Sequence, residues 1–275
     1  MKTVLFIGDH PRHLHIARQV ATTGTLVGVV VETREAHSPA PPDGLRASTR
    51  ALFIEHFRRR ELAEHRFFGA PGPSDFDACA PRVLRVTMDT LNGAGVATFL
   101  RDLDPDLILS YGVHKLSPDV IALASRAAWN IHGGLSPWYR GTATHFWPSY
   151  MLEPQMTGMT LHTLTAAIDG GDIVHQNAVA LHRDDGLHDV AARCVEAFGL
   201  ELPSILAALA ASPVRNLPTK PQATTGKLWR SSDWRSEHLH LIYELFEDRV
   251  VAHTLDTGAW TEPTPFRVNL PSTTH

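Results

Sequence analysis

An α/β fold built on a mostly parallel sheet is predicted by three observations. From the N-terminus to about residue 131, short dense apolar runs of strand length alternate with longer segments of helical spacing. That alternation is the pattern of βαβ units. After Thr157 the pattern changes, and two strand-like runs are followed by one long helical stretch and then a segment rich in Pro, Thr and Asn.

The elements follow in order. Thr3–Ile7 is an apolar run closed by Gly8-Asp9, the signature of a buried strand. Leu14, Ala17 and Val20 are spaced for a helix over 12–22. Leu26–Val31 (LVGVVV) is a second strand. Residues 47–68, rich in Arg, Glu and Leu, read as one or two helices. Val83–Val86 is a strand, 91–103 a helix, and Asp106–Ser110 another β-rich run. Ser117-Pro118 opens a helix with Pro in its first turn. Ala127–Ile131 is the strand that carries Asn130. Strands are expected at 157–165 and 172–180, joined by the Ala166–Gly171 loop. A helix over 187–211 has Val190, Ala191, Cys194, Ala197, Ile205 and Leu209 as its apolar stripe. Residues 212–225 mark a boundary, and 236–248 form a tail helix with Leu239, Ile242, Tyr243 and Phe246 on one face. The predicted organisation is a Rossmann-like domain over 1–211 and a small C-terminal appendage over 212–275.

Composition excludes several functions. The net charge is −4, which gives no general attraction to nucleic acid or an anionic membrane. Cys79 and Cys194 stand alone, with no CxxC, which points to a reducing compartment. The N-terminal apolar run is too short for a signal-peptide core, and no run of 18 consecutive apolar residues occurs. A cytoplasmic protein is expected. The stretch Asp9–His15 is dense in histidine, but His13 and His15 diverge on a helix and no second ligand cluster accompanies them, so no metal is expected. The first strand lacks the GxGxxG of a dinucleotide site.

The chemistry concentrates in Asn130–Gly141, NIHGGLSPWYRG. Residues i and i+2 of a strand project to one side. Asn130 and His132 therefore stand together at the C-terminal end of a strand, where open α/β sheets bind ligands. Gly133-Gly134 permits a close backbone approach. An amide donor beside an imidazole suits an oxyanion and a moving proton. The missing carboxylate is best supplied by Asp169. His10 and Arg12, after the first strand and near a helix N-terminus, are placed to touch an acceptor phosphate. Arg140 either fixes its loop or contacts an anionic ligand.

With Asn-x-His followed by Leu135-x-Pro137-x-Tyr139-Arg140-Gly141, then TGMTLH and IDGGDIV, the chain resembles the formyltransferases that use 10-formyltetrahydrofolate. That family includes enzymes acting on glycinamide ribonucleotide, methionyl-tRNA and amino sugars. The resemblance is strongest over 105–174. It implies the formyltransferase fold, the co-substrate 10-formyltetrahydrofolate without metal, and a catalytic set of Asn130 on the formyl oxygen, His132 in proton traffic and Asp169 orienting His132. The folate cavity falls on Tyr111, Gly112, Val113, Lys115 and Leu116, with Thr165, Ala166, Ala167 and Ile168 opposite. The acceptor side falls on His10, Arg12, Tyr139, Arg140 and Gly141. The chain departs from the family's usual Ser-Leu-Leu-Pro in having Gly133-Gly134-Leu135-Ser136-Pro137, which bears on the acceptor.

From Arg215 to His275 there are seven Lys+Arg and seven Asp+Glu, without the basic excess that RNA binding favours. A core of about 200 residues with a small variable appendage resembles the sugar N-formyltransferases best. The expected acceptor is thus an amino-sugar nucleotide, with a methionyl-tRNA or hydroxyornithine-type amine, or water in a hydrolase, as alternatives. The expected partner is a small-molecule amine, not nucleic acid or membrane, and homodimerisation is left open.

Overall fold

Every residue of the first strand, Thr3–Gly8, is buried. Leu5 and Ile7 join the hydrophobic cluster on one side of the sheet, and Val4 and Phe6 the cluster on the other. Both faces therefore need helices over them. The computed structural model describes residues 1–33, 37–72, 74–222, 226–258 and 260–268. Along the chain it has β1 (Thr3–Gly8), α1 (Pro11–Ala21), β2 (Leu26–Glu32), α2 (Ala47–Phe68), β3 (Val83–Val86), α3 (Ala94–Leu103), β4 (Leu107–Tyr111), the single turn α4 (Pro118–Ile121) and β5 (Ala127–His132). It continues with β6 (Tyr139–Gly141), α5 (Trp147–Tyr150), β7 (Gly158–Thr163), β8 (Ile173–Ala178), α6 (Leu187–Ala211), β9 (Lys227–Trp229) and α7 (Val250–Thr257).

The main sheet has the order β3-β2-β1-β4-β5-β7-β8. The first five strands in that order are parallel, and β7 joins β5 antiparallel, with β8 antiparallel to β7. The chain grows outward from β1 through β2 and β3, then returns to the other side of β1 at β4. The β1–β4 junction is thus a topological switch point, the place where such sheets open a crevice at their carboxyl ends. There Gly112, at φ +67, lies against the His13 ring, and a Cβ at that position would collide with it.

Helix α2 is continuous over 22 residues. Glu55 pairs with Arg58 and Arg59 on its exposed side, while Phe53, His56, Ala63 and Phe68 face inward. Helix α6 is long and apolar enough, by length and composition, to cross a bilayer; half of that apolar window is buried in the protein. It packs against α1, α2 and β7.

The elements differ from expectation at three places. Helix α3 starts at Ala94 because the chain before it turns through Asn92 and Gly93, with Gly93 as N-cap. The tail helix expected over 236–248 is broken into a 3-10 turn at Ser236–His238 and a π-type turn at Leu241–Leu245. Leu239 and Ile242 still reach the interior, and positive φ at Glu247 and Asp248 ends the segment. Strands β6 and β9 are too short to leave a periodic trace, yet they pair in parallel with Arg140 opposite Leu228. Through this pairing, and through a cluster that joins Trp229, Leu239, Ile242 and Val250 to Phe53, Phe146 and Leu187, the segment after 211 is laid onto the core. Residues 223–225 of the expected boundary and 269–275 of the appendage lie outside the described residues.

Candidate active site

Three neighbouring strands place the polar residues in a row. Register sets Ser110 of β4 beside Asn130 of β5, and Asn130 beside His162 of β7. Ser110 Oγ donates to Asn130 Oδ1 at 2.8 Å. His162 Nδ1 donates to the Thr163 carbonyl at 2.9 Å, which leaves Nε2 to accept from Asn130 Nδ2 at 3.2 Å. One hydrogen of the Asn130 amide is so engaged, and its orientation is fixed from both sides.

His132 is buried at the end of β5. Its Nε2 donates to the Tyr139 carbonyl at 2.8 Å, and Nδ1 lies 3.4 Å from Asp169 Oδ2. A ring bracketed by two acceptors is held in the geometry that stabilises it once it carries a proton. Gly134 makes this possible: a Cβ there would sit 2.6 Å from the Tyr139 carbonyl oxygen and 2.7 Å from His132 Nε2.

Asp169 sits on the loop between β7 and β8 at φ +45, a left-handed conformation that Asp accepts more readily than most residues. Its Oδ2 accepts the Gly141 N–H at 2.8 Å, and Oδ1 lies 3.4 Å from His162 Nε2. Burial alone would raise its carboxyl. His132, His162 and the Gly141 amide outweigh that and hold it well below the usual carboxylate range. Asp169 is therefore an anion set beside two imidazoles.

The row opens on a cavity of about 940 Å³. Tyr111, Gly112, Val113, Lys115 and Leu116 line one end, facing Thr165, Ala167 and Ile168. Ala166 lies outside the lining, but its carbonyl accepts from Lys115 Nζ at 2.7 Å and so ties the two loops together. Glu32, fully buried at the end of β2, receives the His114 backbone N–H at 2.8 Å and contacts His114 Nδ1 at 2.6 Å, which fixes the first of those loops.

The residues expected on the acceptor side separate. Arg12 lines the cavity, ion-paired with buried Glu64 at 2.5 Å. His10 does not line it; the ring is buried, stacked on His13 at 5.2 Å. Gly141 lines the cavity and holds Asp169. Tyr139 presents its carbonyl to His132 while its hydroxyl donates to Glu153 at 2.7 Å on the far side of β6. The Tyr139 ring thus lies away from the cavity, on the Glu153 side. Arg140 does not line the cavity either and lies beside Gly170 of the Asp169 loop.

Sequence reasoning left out several residues that the fold adds. Ser110 and His162 join the row only through cross-strand register, although His162 closes the TGMTLH motif. His145 also lines the cavity; burial above all, with Arg12 and His132 nearby, pulls its pKa down to about 4. Beyond His145 the cavity continues between α2, the start of α6 and the tail, where Phe57, Phe146 and Trp234 supply rings and Arg60 a cation. Among the described residues, no group of three or more His, Cys, Asp or Glu is placed to hold a metal.

Residues 78–205 match the profile of the family described as formyl transferase. Among solved structures, phosphoribosylglycinamide formyltransferase from Anaplasma phagocytophilum superposes with a TM-score of 0.54 at 19% identity, over 84% of this chain and 98% of that one. A sugar N-formyltransferase from Shewanella superposes with a TM-score of 0.54 at 16% identity, over 99% of both chains. A 4-N formyltransferase from Francisella tularensis gives 0.52 at 15% identity, over 85% of this chain and 78% of that one.

Proposed function

The chain is a formyltransferase, with the family's domain over residues 78–205, and from that premise we propose that it moves a formyl group from 10-formyltetrahydrofolate to the primary amine of an amino-sugar nucleotide. The observation that carries this reading is the continuous cavity. The Asn130–His132–Asp169 set lines it together with residues of the tied loops at 111–116 and 165–168 and with the rings of Phe57, Phe146 and Trp234. Its volume of about 940 Å³ is at the upper end of small-molecule sites. That suits a reaction in which two sizeable molecules meet.

The ring-lined chamber favours the acceptor class. Phe57, Phe146 and Trp234 offer faces to a base and a sugar, and Arg12 and Arg60 offer charge to a diphosphate. Arg12 is already partnered by Glu64, which weakens that end as a cradle for a lone phosphate monoester. The Shewanella sugar N-formyltransferase is matched along its whole length, tail included, whereas the Anaplasma enzyme accounts for 84% of this chain. Here the tail supplies Trp234 to the chamber wall.

The residues divide the chemistry. The acceptor's unprotonated nitrogen attacks the formyl carbon, and the carbonyl oxygen becomes an oxyanion. Asn130 has its second Nδ2 hydrogen for that oxygen, since the first is engaged by His162. His132, held against Asp169, stabilises the tetrahedral intermediate as it takes up charge. Asp169 also attracts the proton that the attacking amine must lose. As the carbon–N10 bond breaks, N10 recovers a proton, leaving tetrahydrofolate and a formamide.

A panel of amines tests the acceptor class: amino-sugar nucleotides, the same amino sugars without the nucleotide, and glycinamide ribonucleotide. The expected result is transfer to one or more amino-sugar nucleotides, with a much higher KM for the free sugar. Preferred transfer to glycinamide ribonucleotide would overturn the reading.

A further inference from the structure

The loop from Thr142 to Phe146 carries one titratable side chain, His145, that the chemistry above does not use. It lines the catalytic cavity. Its ring lies on the backbone that directly follows His132. A Cβ on Gly133 would come within 3.0 Å of His145 Cε1 and 3.1 Å of Nε2. Gly133 does not adopt a left-handed φ, so what glycine supplies there is room for the imidazole. His132 is close enough to bear on the charge of that ring.

Two contacts hold the ring in place. Thr144 Oγ1 donates to the Gly133 carbonyl, and His145 Nε2 donates to the Gly158 carbonyl at 3.2 Å. A carbonyl only accepts, so Nε2 carries the hydrogen and Nδ1 of the neutral ring holds a lone pair. Nδ1 has no hydrogen-bond partner among the described residues, and it is not sealed in the interior as Nε2 of His15 is. Burial keeps the ring neutral by pulling its pKa down to about 4. At neutral pH the cavity therefore meets a fixed acceptor beside the catalytic row. A hydrogen-bond donor must face it. The folate brings none to the reacting centre, because N10 carries the formyl group in place of hydrogen and the formyl group has only C–H. The acceptor's primary amine brings two N–H bonds.

We propose that His145 is a further catalytic residue, whose Nδ1 accepts a hydrogen bond from the attacking amine and so aims the nitrogen lone pair at the formyl carbon. This rests on the reading of the chain as an amine formyltransferase. The N–H held by His145 stays in the formamide, and the other gives up its proton as described above. His145 gains no proton, and its part in the step is orientation of the nucleophile.

The test is single-turnover transfer from 10-formyltetrahydrofolate to an amino-sugar nucleotide that wild type formylates in the panel above, with formamide and formate counted separately. His145→Gln keeps a donor for the Gly158 carbonyl and lacks the Nδ1 acceptor. His145→Asn offers its amide oxygen near the place of Nδ1. Transfer is expected to fall about 10–100-fold in His145→Gln and to recover in large part in His145→Asn. Formate release without any amine is expected to stay at the wild-type rate, because water reacts without being held by the ring. Affinity for a non-reactive folate analogue and the thermal midpoint are expected to be unchanged. The proposal is overturned if transfer in His145→Gln stays within about threefold of wild type, or if the two variants lose equally. It is also overturned if formate release, analogue affinity or the thermal midpoint falls along with transfer, which would make the residue structural. Wild type that formylates no amine in the panel and only releases formate would overturn the formylation reading, and this inference with it.

Discussion

Replacing Asp169 by Asn removes a charge while nearly preserving shape. The amide oxygen of Asn can still accept the Gly141 N–H now held at 2.8 Å, so the loop between β7 and β8 keeps its anchor. What is lost is the anion 3.4 Å from both His132 Nδ1 and His162 Nε2. At that separation, with an effective dielectric near 20, a charged ring and the carboxylate attract by about 5 kcal/mol. Only the part realised when His132 becomes charged in the transition state counts toward rate. A loss of about 10²–10³ in single-turnover rate, about 2.7–4 kcal/mol, is therefore expected. Quenched-flow transfer with chromatographic detection of the formylated acceptor measures it, and calorimetry with a non-reactive folate analogue should show donor affinity within a few-fold of wild type. In the proposed mechanism the three act as one unit, so the losses in Asp169→Asn, His132→Ala and Asn130→Ala should not multiply when combined. Turnover within threefold of wild type in Asp169→Asn, with the fold intact, would refute the assignment of the carboxylate.

Three further outcomes are expected. Gly134→Ala should sharply lower kcat, since its Cβ would meet the Tyr139 carbonyl and His132 Nε2 at 2.6 and 2.7 Å, and destabilise by about 1–3 kcal/mol; activity near wild type would show that the His132–Tyr139 bond is dispensable. His162→Gln should cost about 10–100-fold in kcat with little change in acceptor KM, because His162 orients Asn130 and shares Asp169; a pure KM effect would place it in acceptor binding instead. Stability should fall with acid: His56 is buried and neutral, its pKa pushed down by burial to about 3, and His188 is lowered for the same reason. The unfolded chain takes up those protons below about pH 6.5 and the folded one does not. Each such site therefore removes about 1.4 kcal/mol per pH unit as pH falls from there toward its folded pKa. Urea titrations between pH 7 and 5 should show the slope, and His56→Gln should reduce it by about one proton; an unchanged slope would mean that His56 is already charged in the fold.

Much of the fold was legible because the central strands are buried on both faces. Runs such as Thr3–Ile7 and Leu26–Val31 are dense enough to be strands and nothing else at that length. The limits of 187–211 were also legible, from an apolar stripe that persists for 25 residues. The tail was not: Ser236–Asp248 has helical spacing, but its turns are tightened and then widened to seat Leu239 and Ile242. Strands β6 and β9 have three residues each, too few for any period.

The site divides along the same line. Asn130 and His132 could be paired from local geometry, because two residues apart on one strand means one side. Asp169 was the best candidate for the missing carboxylate and took its role from resemblance to a family, for no local rule joins it to His132 across 37 positions. Ser110 and His162 depend on the register of three strands, which a linear pattern does not encode. His10 looked accessible beside Arg12, but as the residue capping α1 its ring turns under the helix against His13. Tyr139 was singled out with Arg140 and Gly141 as one contact surface. Its ring lies away from the cavity with the hydroxyl on Glu153, while its backbone carbonyl meets His132.

The most direct measurement follows the label in a ¹³C-formyl donor supplied with an amino-sugar nucleotide. The label is expected in a formamide on the acceptor, one per tetrahydrofolate formed, at a rate that rises with acceptor concentration and collapses in His132→Ala. Label appearing only as free formate, at a rate indifferent to any amine offered, would contradict the account and make the cavity that of a hydrolase.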